Sequence, residues 1–114
     1  HTGLLLEELI AKEGVDFQAI KTQGWTRENF IAVDSITNAQ YRFGMPGPTI
    51  SEEETASILK KIEELKPEFL VASGSLPNGV GDDFYEKVAA VAHEIGSNFI
   101  LDTSGNALKM AVDE

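Results

Sequence analysis

No cysteine occurs among the 114 residues, so there is no disulfide framework and no thiolate to act as nucleophile or metal ligand. A thiol-free chain fits a reducing cytoplasm, the expected location. Histidine is almost as scarce. His1 and His93 are too few and too scattered for a zinc site, so any metal chemistry must use oxygen ligands. Both histidines are expected to face solvent. Basic residues are outnumbered, with 9 Lys and Arg against 19 Asp and Glu and a formal charge of -10. That balance argues against nonspecific nucleic-acid binding, which draws its affinity largely from Lys and Arg on phosphates. No apolar run approaches the roughly 20 residues needed to span a bilayer, and Leu4-Leu5-Leu6 gives way at once to Glu7 and Glu8. A basic leader with a small-residue cleavage site is also missing, so neither a membrane partner nor export is expected. The lack of a Gly-x-Gly-x-x-Gly fingerprint, of a Gly-Lys-Ser phosphate loop and of a serine with a histidine partner weakens dinucleotide-binding and hydrolase readings.

What is present suits one compact domain over 1–114, although a complete α/β enzyme usually needs more chain. The sequence begins without methionine and ends at Val112-Asp113-Glu114 without a helix stop; an internal fragment is the expectation. Leu5, Leu6, Leu9 and Ile10 recur at helical spacing, with Thr2 as a possible N-cap and Gly14 beyond the end. Val15 to Ile20 alternates as a short strand should. Two β-rich stretches, Asn29 to Ile36 and Gln40 to Phe43, flank Thr37-Asn38-Ala39 and predict a hairpin. Ser51 with Glu54 forms a capping box for a helix whose stripe is Thr55, Ile58, Leu59, Ile62 and Leu65. Phe69 to Ala72 predicts a strand, and Asp82 is placed to cap a helix with Phe84, Val88, Val91, Ala92 and Ile95 inward. A strand at 98–101 and a helical stretch including Ala107, Leu108, Ala111 and Val112 complete the chain.

This alternation makes an α/β fold, a parallel sheet with flanking helices plus one hairpin. Right-handed crossovers then run the strands at 15–20, 69–72 and 98–101 parallel. Their C-terminal ends share one edge, where such sheets bind ligands. Gly74-Ser75-Leu76-Pro77 and Asp102 both follow strands and belong on that edge. Each has an ordinary alternative: the glycine turn as simple chain reversal, and Asp102 as a helix cap instead of a carboxylate that meets Mg²⁺ through water. The only two arginines, Arg27 and Arg42, fall in or beside the hairpin. A guanidinium matches phosphate oxygens with a planar fork, so either is a potential anchor for a phosphorylated substrate, or an arginine kept for solubility and cross-strand pairing.

Taken in order, Trp25-Thr26-Arg27-Glu28-Asn29-Phe30, Gln40-Tyr41-Arg42-Phe43, Met45-Pro46-Gly47-Pro48, Gly74-Ser75-Leu76-Pro77 and Leu101-Asp102-Thr103-Ser104-Gly105 resemble the PfkB family of ribokinase-like sugar kinases, in particular its bacterial 6-phosphofructokinase branch. The resemblance covers nearly the entire chain. It implies an ATP- and Mg²⁺-dependent kinase acting on a phosphosugar, fructose 6-phosphate in that branch. It also implies that segment 25–47 belongs to a β lid that covers the sugar and often forms a homodimer contact. By the same resemblance Arg27 matches the lid arginine that holds the substrate phosphate, Gly74 and Ser75 match the segment that contacts the phosphosugar, and Asp102 matches an acidic position tied indirectly to the metal. No role carries over to Arg42. The family's Gly-Ala-Gly-Asp catalytic base and anion hole, its N-terminal Gly-Gly loop and its Asn-x-x-Glu metal motif do not occur, so no catalytic residue is expected in these residues and the chain alone is expected to be inactive. The alternative is a noncatalytic phosphosugar-binding or dimerising module.

Overall fold

A computed structural model of the chain describes residues 2–112, which divide into two compact units, one running up to Pro48 and the other starting at Thr49. In the first unit, helix α1 spans Thr2–Lys12. Thr2 lies within the helix and is not its N-cap, and the Thr2 hydroxyl is buried without a hydrogen-bond partner among the described residues. Gly14 ends the helix at φ +70, a conformation that costs glycine little. Residues 15–20 then run without regular structure, contrary to the strand expected there. Alternation alone does not make a strand. A strand needs a neighbouring backbone for its N–H and C=O groups, and the Val15 amide donates instead to Ile10 of the preceding helix turn.

The hairpin forms as β1, Asn29–Val33, antiparallel to β2, Gln40–Gly44. Phe30 lies opposite Phe43, and their rings stack with centroids 4.5 Å apart. The first strand stops three residues short of Ile36 because Asp34 turns the chain. Its carboxylate accepts the Ile36 and Thr37 amides at 2.8 and 3.2 Å, and Asn38 takes φ 56 to close the loop.

In the second unit, α2 covers Glu52–Leu65 and begins with the reciprocal capping box of Ser51 and Glu54. Thr55, Ile58, Leu59 and Ile62 are half-buried, whereas Leu65, in the last turn, stays exposed. Strand β3, Phe69–Ser73, pairs in parallel with β4, Asn98–Asp102, through a crossover containing α3, Phe84–Glu94. Helix α4, Gly105–Val112, follows. The core sits where α3 meets β4, α2 and α4: Tyr85, Val88 and Ala92 of α3 and Ala107 of α4 are buried. Helices cover only one face of this two-stranded sheet, leaving Phe69, Val71 and Ile100 exposed on the other. Asp82 does not cap α3; the N-cap residue is Asp83, whose side chain makes no capping bond and pairs instead with Lys87 at 2.7 Å. His93 is exposed, as expected, and His1 lies outside the described residues.

Candidate functional site

The parallel register places Ser73 opposite Asp102. The two strand ends therefore finish level, and the turn that starts at Gly74 stands beside Asp102. Three contacts join the ends. The Gly74 amide donates to the Asp102 carbonyl at 2.9 Å, the Ser73 hydroxyl donates to Asp102 Oδ2 at 3.2 Å, and the Thr103 hydroxyl donates to the Gly74 carbonyl at 2.9 Å. Gly74 itself adopts φ +110, which L side chains rarely take, so the residue type is dictated by the turn. Gly74, Ser75 and Asp102 are all exposed.

A second hydroxyl reaches the same carbonyl. Tyr85, in the first turn of α3 and 6% exposed, donates to the Gly74 oxygen at 2.8 Å. Burial raises the pKa of this phenol above its ordinary value, and the neighbouring Thr103 hydroxyl pulls the other way; the phenol stays protonated, and a donor, at neutral pH. The far end of the turn is anchored as well. The Ile50 amide donates to the Asn78 carbonyl at 2.8 Å, and Gly79 passes so near Ile50 that a Cβ would stand 2.3 Å from its carbonyl oxygen.

Arg27 belongs to the other unit. Its Nε donates to the Met45 carbonyl at 3.0 Å, and its side chain lies along the Gly44–Gly47 segment. The bond holds the guanidinium to the hairpin's exit, and Arg27 makes no ion pair among the described residues. Arg42 lies on β2 opposite Ile31.

Asp102 is not part of a metal cage among the described residues. Its Oδ2 already accepts the Ser73 hydroxyl, and among the described residues no group of three or more His, Asp or Glu is arranged to hold an ion. Two cavities, about 590 Å³ beside α1 and about 540 Å³ between the starts of α2 and α3, include none of Gly74, Ser75 and Asp102 in their walls. The candidate residues lie on an exposed strand edge. Tyr85 and Thr103 escaped recognition as contributors. Tyr85 lies next to the predicted inward stripe, and its target is 11 residues away in sequence, beyond any local pattern.

Over 110 residues the chain is 41% identical to the ATP-dependent 6-phosphofructokinase isozyme 2 of Mycobacterium tuberculosis, a match that takes in 95% of this chain and 32% of that protein. The Escherichia coli protein of the same description is 35% identical over 112 residues, 97% of this chain and 36% of that one. The solved tetrameric inhibited form of E. coli phosphofructokinase-2 superposes with a TM-score of 0.87 at 35% identity, covering 96% of this chain and 36% of that one. The chain's homologues are PfkB-type phosphofructokinases, matched over 95% of its residues. The chain spans about a third of the length of the curated PfkB relatives it matches. Relatives named 1-phosphofructokinase and tagatose-6-phosphate kinase align at 29% and 36% identity. No family model matches the sequence. The partial ribokinase-like fold expected from the motifs is the one observed, a parallel strand pair with helices and an antiparallel hairpin.

Proposed function

We propose that this chain is the sugar-facing segment of an ATP-dependent phosphosugar kinase that phosphorylates fructose 6-phosphate to fructose 1,6-bisphosphate in the cytoplasm. The observation that carries the reading is the shared strand edge: the exposed Gly74-Ser75 turn and Asp102 stand together where open parallel sheets present ligands. The names of two relatives, ATP-dependent 6-phosphofructokinase, support the choice of substrate. In this reading segment 25–47 is the lid, Arg27 holds the substrate phosphate, Gly74 and Ser75 meet the phosphosugar, and Asp102 acts on bound Mg²⁺ at one remove. ATP and Mg²⁺ contribute the transferred phosphoryl group and its charge neutralisation, with their direct ligands outside these residues. The 114 residues alone do not transfer phosphate, because phosphoryl transfer needs a base and an anion hole acting together, and the family's Gly-Ala-Gly-Asp does not occur in the sequence.

Assays of the full-length kinase with fructose 6-phosphate, fructose 1-phosphate and tagatose 6-phosphate test the substrate, and the highest kcat/KM is expected for the first. Arg27→Ala raises the KM for phosphosugar by about tenfold or more, the scale of a hydrogen bond to a charged group, whereas Arg42→Ala does less. Equal effects from both substitutions would remove Arg27 from the site. Exposed Phe30, Tyr41 and Phe43 on one hairpin face favour a homodimer through the lid. Light scattering on the full-length kinase checks it, and a monomer at high concentration excludes it.

A further inference from the structure

We propose that Tyr85 and Thr103 are positioning residues for ligand binding, which together fix the Gly74–Ser75 peptide so that the Ser75 amide faces an anionic group of the phosphosugar. The proposal rests on the reading of the strand edge as the phosphosugar site. Two hydroxyls from different elements, one on α3 and one after β4, converge on a single carbonyl oxygen at 2.8 and 2.9 Å. A carbonyl has two lone pairs, so the Gly74 oxygen is saturated and its direction is set from two sides. A buried tyrosine needs an acceptor in any case; one hydrogen bond would meet that need, and a second hydroxyl on the same atom does something more. It removes the remaining freedom of the peptide plane.

The geometry of that plane gives the consequence. No peptide bond among the described residues is cis, and in a planar trans peptide the C=O and the following N–H point in opposite directions. With the Gly74 carbonyl held toward Tyr85 and Thr103, the Ser75 N–H is directed away from them, at an exposed residue, and it donates to no backbone carbonyl of the described residues. The Gly74 amide is committed to Asp102 and the Asn78 carbonyl to Ile50, so the turn cannot swing as a whole. A main-chain donor fixed before ligand arrives loses little entropy on binding, which is how preorganisation raises affinity. Since Thr103 adjoins Asp102, the clamp also sets the turn's height relative to that carboxylate.

The test uses the full-length kinase, with fructose 6-phosphate and ATP varied separately. Tyr85→Phe and Thr103→Val are each expected to raise the KM for fructose 6-phosphate about fivefold, the scale of one neutral hydrogen bond, while the KM for ATP holds. Thr103→Ser, which restores the hydroxyl, is expected to return the KM to the wild-type value, and this pair carries the test if Tyr85→Phe folds poorly. A lowered unfolding midpoint with unchanged KM in Tyr85→Phe and Thr103→Val would overturn the clamp and leave these residues structural. Arg27→Ala separates the two levels. If it raises the KM while the hydroxyl variants do not, only the clamp fails; if it too leaves the KM unchanged, the phosphosugar reading beneath it fails as well.

Discussion

Each unit of the chain contains one pair of five-residue strands, yet only one of them builds a core. In the unit up to Pro48, no described residue is buried, and both faces of the hairpin carry exposed apolar side chains, Phe30 and Tyr41 on one, Ile31 and Val33 on the other. In the unit from Thr49, the four buried residues among those described cluster on α3 and α4. The difference lies in the connection. An antiparallel pair needs only a tight loop, whereas a parallel pair requires a crossover, and the crossover here brings a helix whose apolar face has somewhere to go. Strand pairing supplies backbone hydrogen bonds in both units, and helix packing supplies burial in one. The same contrast holds for how local backbone is anchored: the Gly74 turn is fixed by side chains from packed elements, while Arg27 is held by a bond to the exit of its own hairpin.

Substitutions can break this comparison, beginning with the tight approach of Gly79. Gly79→Ala combines φ +88 with a Cβ 2.3 Å from the Ile50 carbonyl and is expected to destabilise the second unit by about 3 kcal/mol, read as a shift of the urea midpoint; a change below about 1 kcal/mol would mean that the turn is looser than described. Val88→Ala, at a site 2% exposed, should cost about 2 kcal/mol, against less than about 1 kcal/mol for Val33→Ala in the hairpin. Equal costs for the two valines would erase the distinction between the units. Ser51→Ala removes one half of the capping box and is expected to lower stability by about 1 kcal/mol, with faster amide exchange confined to the first turn of α2.

The smallest effect belongs to the exposed hairpin loop. The Ile36 and Thr37 amides, followed by the Thr37 hydroxyl, hold the Asp34 carboxyl below its ordinary pKa. A lowered folded-state pKa means that its contribution is complete above the unfolded value and fades as pH falls through the folded one. Titration of the Asp34 carboxyl followed by NMR should show this downward displacement together with loosening of the loop in acid. Asp34→Asn should abolish that pH dependence without altering the second unit.

Local signals carried most of the fold. The Ser51–Glu54 box, the hairpin between residues 29 and 44, the strand–helix–strand run from Phe69 and the glycine stop at 14 all appear where residue types alone predict them. Failures arose where the deciding partner is distant or the choice is between neighbours. Residues 15–20 alternate correctly but lack a described neighbouring strand, and Asp83 displaces Asp82 at the start of α3 because the helix begins one residue later. Within the site, the adjacency of Gly74, Ser75 and Asp102 follows from parallel strand direction, which the alternation of elements implies. The two hydroxyls on the Gly74 carbonyl do not follow from it, since neither their reach nor their common target leaves any periodic trace.

The constant register of β3 and β4 also has a consequence for how the second unit forms. Every paired position is separated by 29 residues, from Phe69 opposite Asn98 to Ser73 opposite Asp102. The entropy of closing the intervening segment is therefore spent on the first rung, and each later rung adds contacts without a longer loop. Helix α3 lies inside that segment and shortens the flexible chain to be closed. The strand–helix–strand unit should thus assemble in a single cooperative event, with the amides of Leu70 to Ala72 and Phe99 to Leu101 becoming protected together during refolding.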